Sequence, residues 1–323
     1  MRDNRNSVTV VIPVYNRAHL FLDSLESVVG QTHLPDQVVV VDDGSTDGIA
    51  EVFTEWMKVR RSTCPVQLVR QTNKGVAAAR NVGLGLSPTA RWYAFLDSDD
   101  TWPSDFLARC KDAFSHTPNA IAATCDRKEV WTDSMKVSLS DMSLLTSDPV
   151  LWMFRYGSAL LSGTVLCGEA VRRLGGFSSD RELQASEDLM LLLQLSQKGE
   201  WLHVPGAPYV YRHHGKGVDS DQLHLKFSNN RHRWANAYDD FYFRFSESFG
   251  ERDKLFRKLL SKRWREAGNE HLRFDRPEMA LEAYRRGVSL YPDFWIRFGY
   301  ARARLRITRF GPEATGPRDF RRK

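Results

Sequence analysis

The sequence lacks the long apolar runs, paired cysteines and leader-like N-terminus of membrane-spanning or secreted proteins. No apolar run approaches the ~18 residues that a bilayer-spanning helix needs, and the best stretch, 159–167, is short and carries Ser and Gly. Residues 1–7 are polar and have no signal-peptide core. The four cysteines, at 64, 110, 125 and 167, form no CxxC pair, so we expect reduced structural thiols in a cytosolic protein.

Acidic residues are scarce toward the end of the chain. Residues 251–323 hold 20 Lys and Arg against 10 Asp and Glu, whereas the whole chain has a formal net charge of +6. The first 250 residues are therefore slightly acidic. A basic tail can meet anionic lipid, an acidic partner or nucleic acid, although a solvated helical surface is an equal alternative. With no nucleic-acid-binding motif in the tail, we expect no nucleic-acid partner.

Short β-branched runs alternate with helical spacing over the first 125 residues. The pattern predicts helices between the strands, and strands at 8–14, 37–41, 66–69, 92–96 and 121–125. Continuous apolar strands separated by helices indicate a parallel sheet covered on both faces. We therefore expect an α/β fold with a doubly wound, mostly parallel sheet. Past residue 219 the pattern reads as helical.

The most informative feature is a group of carboxylates at the end of a predicted strand. Asp97, Asp99 and Asp100 directly follow the apolar run 92–96. Like charges so close repel one another, and burial makes each harder to ionise, so a divalent cation is the obvious group to hold them. All-oxygen ligands suit Mg²⁺ or Mn²⁺, and cations held this way usually carry phosphate groups. The pattern indicates a nucleotide-diphosphate site.

Polar clusters follow the other predicted strands as well. In doubly wound sheets, ligands lie beyond the carboxyl ends of the strands, and four such loops would converge on one edge. One cluster alone would be weak evidence, because Asp-Gly turns are routine. The side chains concerned are Pro13, Tyr15 and Asn16 after the first strand, Asp42 and Asp43 after the second, and Asn73 and Lys74 after the third.

Six segments resemble, in order and spacing, the motifs of glycosyltransferase family 2. They are VTVVIPVYNR, VVVVDDGSTD, NKGVAAARN, FLDSDD, GGF and SED, and the resemblance covers about residues 8–214. The resemblance implies an inverting nucleotide-sugar enzyme with a GT-A fold. It also implies a domain at 1–218, with a nucleotide-binding half at 1–125 and an acceptor half at 126–218. We expect a basic helical extension at 219–323.

The resemblance assigns roles to residues at the donor side. Asp43, with Asp42 beside it, would accept a hydrogen bond from the nucleotide base. Asp99 would bind the metal, Mn²⁺ or Mg²⁺, while Asp97 would face the ribose or donor sugar or share the ion. Asp100 is a second candidate ligand, and His213 or His214 a last one. The remaining donor-site residues implied are Pro13, Tyr15, Asn16, Lys74, Arg80 and Ser98.

The acceptor side carries the proton-transfer chemistry. The resemblance makes Asp188 the general base and Glu187 its neighbour in contact with the acceptor. Both could instead be first-turn charges that interact with the helix dipole. Arg80 could form only a surface ion pair, and the two histidines could be structural. Asp42 and Asp43 could belong only to a turn and helix cap.

The helical extension has its own pattern. The spacing of Trp264, Gly268, Ala280, Tyr284, Gly287 and Pro292 resembles one tetratricopeptide unit over about 261–294, although a simple helical hairpin is an equal alternative. The two helices of this unit are expected at about 261–274 and 277–290. Beyond it, the Arg-rich segment 295–309 carries Trp295, Phe298, Tyr300, Leu305 and Ile307. Such a segment can lie on an anionic membrane or recruit a protein partner.

These observations predict a metal-dependent inverting glycosyltransferase that moves a sugar from a UDP-sugar to a hydroxyl acceptor. The expected acceptor is a glycan or lipid-linked glycan in surface polysaccharide synthesis, with the enzyme at the inner face of the cytoplasmic membrane. One alternative is a non-catalytic nucleotide- or glycan-binding protein that recruits partners through its tail. A nucleotidyltransferase is a weaker alternative, because the segment VIPVYNR has no glycine to approach a triphosphate.

Overall fold

The structure is a computed structural model, which describes residues 7–60, 63–157, 160–180, 183, 185–213 and 230–310. The chain divides into two compact units between residues 221 and 222. The strands of the first unit are β1 (Val8–Val14), β2 (Gln37–Asp42), β3 (Val66–Arg70), β4 (Trp92–Phe95), β5 (Ala122–Trp131), β6 (Val137–Ser140), β7 (Thr164–Cys167) and β8 (Trp201–His213). Its helices are α1 (Phe21–Val29), α2 (Ile49–Val59), α3 (Val76–Gly85), α4 (Phe106–His116), α5 (Pro149–Tyr156), α6 (Gly168–Arg173) and α7 (Glu187–Leu195).

The first unit is built on one mixed, mostly parallel sheet. Its strand order is β3-β2-β1-β4-β7-β5-β6, and β8 also pairs with β5. Neighbours among β1 to β4 run parallel, whereas β7 runs antiparallel to both β4 and β5. All seven residues of β1 are buried, which explains its unbroken apolar sequence. The expected doubly wound α/β arrangement is therefore present.

The sheet differs from the expectation beyond β4. The fifth strand was expected to end at residue 125, but β5 continues to Trp131, and its last six residues are half-buried except for the exposed Lys128. Strands β6, β7 and β8 had no prediction at all. β6 is short and largely exposed, and β7 is buried but only four residues long. β8 contains Pro and Gly, and its pairing with β5 shifts register between Cys125 and Arg127, so none of the three gives a long apolar signal.

The second unit is helical throughout its described residues. It contains α8 (Asn230–Arg244), α9 (Asp253–Arg273), α10 (Pro277–Leu290) and α11 (Phe294–Phe310). A small core of Leu272, Ala280, Tyr284, Ile296 and Ala303 joins the last three helices. None of the helices in the described ranges between residues 7 and 310 is both long and apolar enough to cross a membrane.

Glycines let the helices of the second unit approach closely. A Cβ at Gly268 would lie 2.6 Å from the ring of Tyr284, and one at Gly287 would lie 2.0 Å from Cδ1 of Ile296. Gly268 and Tyr284 therefore meet across the α9–α10 hairpin, while the resemblance to a tetratricopeptide unit stays a prediction. The expected second helix, 277–290, matches α10, while α9 begins eight residues before the expected start at 261.

Candidate active site

The loops that follow β1 and β2 are tied together at the carboxyl edge of the sheet. The backbone N–H of Asn16 donates to Oγ of Ser45 at 2.9 Å, and Oδ1 of Asn16 accepts from the backbone N–H of Thr46 at 2.8 Å. Asn16 has φ of 52°, a left-handed conformation that Asn tolerates better than most residues. The next loop along the sheet is thereby fixed beside Tyr15, which is 41% exposed.

The two carboxylates after β2 shape their own surroundings. Oδ1 of the fully buried Asp42 accepts from the backbone N–H of Ser45 at 2.8 Å. Asp43 accepts from the backbone N–H groups of Lys74 and Gly75, each at 2.8 Å, and from Nε2 of Gln71 at 2.6 Å. Asp43 therefore holds the loop before α3 in place, and the role in base binding implied by the sequence stays a prediction.

A pocket of about 200 Å³ opens beside that loop. Ligand pockets typically measure about 300–1,000 Å³, so this one fits only part of a nucleotide sugar. Lys74 lines the pocket, and its backbone N–H is held by the hydrogen bond to Asp43. The residues lining the pocket are Asn73, Lys74, Gly75, Val76, Ala77, Ser178, Ser179 and Asp180.

The carboxylates after β4 lie in a tight turn with graded exposure. The backbone N–H of Asp100 donates to the carbonyl of Asp97 at 3.0 Å, and the Ser24 hydroxyl donates to the carbonyl of Asp100 at 2.7 Å. The side chain of Asp97 is 40% exposed, that of Asp99 is 12% exposed, and Asp100 as a residue is only 1% exposed. Ser98 is also buried.

Asp100 faces the interior from this turn. Its Oδ1 accepts from the backbone N–H of Arg212 at 3.3 Å, and its Oδ2 is buried with no hydrogen-bond partner among the described residues. Burial, followed by the charges of Asp99 and Asp97, raises the pKa of Asp100 well above its ordinary value. The shift favours the protonated, neutral form of Asp100, which therefore adds less negative charge to the turn than Asp97 and Asp99 do.

Two arginines neutralise the exposed part of the patch. Arg80, on α3, is 4% exposed and donates to Oδ1 of Asp97 and to Oε1 of Glu187, each at 2.8 Å. Burial alone would lower the pKa of Arg80, but Asp97 and Glu187 outweigh it and the pKa is raised. Arg17 pairs with Oδ2 of Asp99. Sequence reasoning missed Arg17, although it directly follows Asn16 in the same loop.

The GGF segment explains how Arg80 is held. The side-chain amide of Asn81 donates to the carbonyl of Phe177 at 2.7 Å and accepts from its N–H at 2.9 Å. The guanidinium of Arg80 lies 5.3 Å from the centre of the Phe177 ring. Gly176 has φ of 78°, and a Cβ there would lie 2.5 Å from Oδ1 of Asn81. Glycine is therefore required for this clamp.

Asp188 lies in the first turn of α7, one residue after the Glu187 that binds Arg80. Burial, then the adjacent charge of Glu187, raises the pKa of Asp188 to about 7, although Arg80 opposes the shift. A carboxyl with such a pKa is balanced between its acid and base forms near neutral pH, which is what general base catalysis needs. Asp97, Arg80, Glu187 and Asp188 thus form one connected charge network.

The sequence offered two histidines, His213 and His214, as candidates for a last metal ligand, and the structure describes only the first of them. Nε2 of His213 lies 2.8 Å from Oε2 of Glu129, and its ring stacks on Trp131 with a centroid distance of 4.3 Å. His213 is thus engaged within the β5–β8 pair. His214 lies outside the described residues. A different group that sequence reasoning missed is Asp126, Asp141 and His203, whose ligand atoms lie within 4.8 Å of one another.

The donor set of the β4 turn fits a divalent cation. Asp97 and Asp99 present carboxylate oxygens, and each is paired with an arginine, Asp97 with Arg80 and Asp99 with Arg17. These pairs show that the turn favours positive charge. Oxygen ligands of this kind suit Mg²⁺ or Mn²⁺ over softer metals. The Asp126 group contains an imidazole that lies 2.7 Å from Oδ1 of Asp126, so its Nε2 is already in a hydrogen bond.

Residues 9–160 match the family described as glycosyl transferase family 2. The chain is 25% identical over 230 residues to chondroitin synthase of Escherichia coli, a match that covers 69% of the chain and 31% of that protein. It is 38% identical over 117 residues to an uncharacterized glycosyltransferase of Rickettsia felis, covering 34% of the chain and 19% of that protein. The chain thus spans less than half the length of these curated relatives.

Solved structures share the fold. TarS 1-349 of S. aureus in complex with UDP-GlcNAc superposes with a TM-score of 0.66 at 15% identity, covering 93% of the chain and 89% of TarS 1-349. The mannosyltransferase PcManGT of Pyrobaculum calidifontis, in complex with GDP-Man and Mn²⁺, gives 0.53 at 21% identity, covering 95% and 82%. These neighbours bind nucleotide-sugar donors, and one binds Mn²⁺. The GT-A fold expected from the sequence is confirmed.

Proposed function

We propose that this protein, whose residues 9–160 match glycosyl transferase family 2, is a metal-dependent inverting glycosyltransferase that uses a UDP-sugar. The observation that carries the proposal is the connected network of Asp97, Arg80, Glu187 and Asp188. It joins an acidic turn at the carboxyl edge of the sheet to a carboxyl with a pKa of about 7. A protein that only bound nucleotides would have no use for such a base.

The donor would occupy the edge formed by the loops after β1, β2, β3 and β4. Asn16 and Asp43 hold these loops in register, and Tyr15 offers an exposed ring for the base. Pro13, Asp42 and Ser98 support this surface from buried positions, and Lys74 brings a cation to the rim of the pocket. TarS, with the same fold, binds UDP-GlcNAc, which supports a UDP-sugar as the donor.

Asp99 and Asp97 would hold the divalent cation, with Asp100 behind them. When bound, Mn²⁺ or Mg²⁺ would supply positive charge to stabilise the leaving diphosphate. Arg17 already pairs with Asp99 and Arg80 with Asp97. Both guanidiniums would stay close enough to the diphosphate to share its charge once they release the carboxylates.

The acceptor hydroxyl would lose its proton to Asp188. Its attack on the anomeric carbon from the face opposite the diphosphate inverts that centre in one displacement. Glu187 orients Arg80 and so keeps a positive charge beside the base. A positioned base of this kind typically contributes about 10²–10⁴ in rate.

The acceptor is proposed to be a glycan or lipid-linked glycan of a surface polysaccharide. The match to chondroitin synthase, a polysaccharide-synthesising relative by its name, supports a sugar hydroxyl as the nucleophile. A lipid-linked acceptor would bring the enzyme to the inner surface of the cytoplasmic membrane.

The test is a screen of UDP-sugars with the full chain and Mn²⁺, read out as UDP release and thermal stabilisation. We expect one UDP-sugar to raise the melting temperature and to be turned over, with inversion visible by NMR of the product. Asp188→Asn should bind that donor with nearly unchanged affinity and lower turnover by about 10²-fold or more. Stabilisation by a UDP-sugar without turnover in the wild type would refute the enzymatic proposal. Equal turnover in both proteins would refute the assignment of Asp188 as the base.

A further inference from the structure

Helix α11 has an apolar face that the rest of the described chain leaves uncovered. Phe294, Phe298 and Leu305 are 70%, 50% and 60% exposed. They are spaced four and seven residues apart, so they form one stripe along the helix. The rings of Phe294 and Phe298 stack, with centroids 6.2 Å apart and planes 13° from parallel. Large exposed apolar side chains grouped in this way mark an interaction surface.

The opposite side of α11 is already occupied by its own unit. Ile296 and Ala303 belong to the core shared with α9 and α10, and Tyr300 packs against that core. Gly299 lets Tyr284 approach, since a Cβ there would lie 2.4 Å from its ring. The orientation of α11 is therefore fixed by packing. Two residues expected from sequence to face a membrane, Tyr300 and Ile307, are half-buried instead.

Arginines border the stripe on both sides. Arg297 and Arg304 lie seven residues apart, and helical geometry places them roughly 60–100° to one side of Phe294 and Leu305. Both are exposed, and no ion pair of theirs is found among the described residues. On the other side, Arg302 lies over the Phe298 ring at 5.9 Å, and Trp295 is 62% exposed. No Asp or Glu occurs anywhere in 294–310.

This pattern selects one kind of partner. An apolar stripe alone could meet a second copy of the chain or another protein. Flanking guanidiniums with no acidic residue among them would repel each other across a symmetric interface and favour a surface of high negative charge. A short aromatic stripe with Trp at its border matches the depth of a headgroup region rather than a membrane core. Each Arg near an anionic bilayer contributes about 1 kcal/mol.

We propose that the exposed face of α11 binds the surface of an anionic lipid bilayer, with Phe294, Phe298 and Leu305 inserted and Arg297, Arg302 and Arg304 on phospholipid headgroups. The helix lies in the plane of the interface and does not span it. This binding is independent of glycosyl transfer, so it can hold or fail whatever the enzymatic activity proves to be.

The experiment is flotation of the full chain with vesicles of phosphatidylcholine alone or with about 30% phosphatidylglycerol. The anionic lipid gives the second kind of vesicle a negative surface potential. We expect binding to the anionic vesicles only, weakened by salt. Arg297→Gln with Arg304→Gln should lower the partition coefficient by about 10- to 30-fold, from the headgroup contribution of two arginines. Phe294→Ser with Phe298→Ser should lower it by at least 10-fold.

Matched controls distinguish binding by this face from nonspecific effects of positive charge and of exposed apolar side chains. Arg285→Gln removes an exposed Arg from α10, and Leu139→Ser removes an exposed apolar side chain from β6, so both should leave partition unchanged. Brominated lipid should quench Trp fluorescence of the wild type but much less that of Trp295→Phe. Circular dichroism of each variant verifies folding.

Two outcomes would overturn the proposal. One is equal binding by the wild type and the Phe294, Phe298 variant while both remain folded. The other is a concentration-dependent dimer in solution that the same variant abolishes, with no partition of the wild type into anionic vesicles. The second result would assign the face to another copy of the chain.

Discussion

Arg17 occupies the carboxylate that is proposed to bind the metal. It pairs with Oδ2 of Asp99, and both side chains are nearly buried, at 13% and 12% exposure. A guanidinium and a divalent cation cannot both neutralise one carboxylate fully. Arg17 would therefore compete with the proposed ion when no donor is present, and it would become available to the diphosphate once the ion had bound.

We predict that Arg17→Gln tightens Mn²⁺ binding in the absence of nucleotide by about 5- to 30-fold. The range corresponds to the ~1–2 kcal/mol of a charge-assisted hydrogen bond that the ion no longer has to displace. Calorimetry with Mn²⁺ alone measures it, and Arg60→Gln, which removes an exposed ion pair with Glu26, is the control. An unchanged Mn²⁺ dissociation constant would contradict the competition.

Asp188 is predicted to set the pH dependence of the reaction. Its pKa of about 7 means that half of the protein lacks the ionised base near neutrality. The kcat/KM for the donor, which reports ionisations of the free enzyme, should therefore rise as the pH increases through about 7 and level off above it. A pH–rate profile from pH 5 to 9 measures this. A profile that falls with pH over the same range would assign the ionisation to another group.

The same carboxyl should lower stability at alkaline pH. A folded-state pKa raised from 3.8 to about 7 means that the folded protein holds this proton more tightly than the unfolded chain. The favourable contribution is fully present below about pH 4 and is lost as the pH rises through 7. Asp188→Asn removes the ionisation, so its melting temperature should exceed that of the wild type at pH 8 by more than at pH 5. An equal difference in melting temperature at pH 5 and pH 8 would show that burial does not shift the pKa of Asp188.

At the scale of elements, α3 connects the core to the site. It packs directly on β1, since a Cβ at Gly83 would lie 2.4 Å from Cγ1 of the buried Val11. A β-branched neighbour in a central strand cannot rotate away, so only glycine allows this contact. The same helix carries Arg80 and Asn81, and its distance from the sheet therefore sets the position of the network.

We predict that Gly83→Ala lowers the free energy of unfolding by about 1–3 kcal/mol, the usual cost of overpacking. Gly85→Ala lies in the same helix with no atom within 4 Å of the added Cβ, so it should be neutral or stabilising by up to about 1 kcal/mol. Urea denaturation of the two variants makes the comparison. Equal effects would mean that α3 can move off β1 at little cost.

Elements with a strong period were predictable and irregular ones were not. The apolar runs of β1, β2 and β4 predict buried parallel strands. The position of the carboxylates at the edge of the sheet was predictable because they come directly after the end of the β4 run. The clamp between Asn81 and Phe177 could not be predicted, because it joins residues 96 apart through a glycine conformation. Nor could the pairing of Arg17 with Asp99, since single-sequence patterns do not show which cation faces which acid.

At the scale of the whole molecule, the two proposed binding surfaces belong to different compact units. Asp97 and Asp188 lie in the first unit, and α11 lies in the second. We predict that hydrogen exchange with UDP and Mn²⁺ slows in 74–80 and 97–100, whereas anionic vesicles slow exchange in 294–308. Ligand contact suppresses local opening only where it binds or orders the chain. Protection of α11 by UDP, or of the β4 turn by vesicles, would contradict separate sites.

Arg80 bridges two carboxylates, and this bridge has a consequence for the order of donor binding and proton transfer. Its guanidinium donates both to Asp97, at the proposed donor edge, and to Glu187, beside the proposed base. Once Asp97 is claimed by a loaded donor, more of that positive charge is left to the Glu187–Asp188 pair, which favours the proton-accepting form of Asp188. Arrival of the sugar nucleotide would then raise the ionised fraction of Asp188, which is about one half near pH 7 in the empty protein. One arginine would thereby couple donor binding to the readiness of the proposed base.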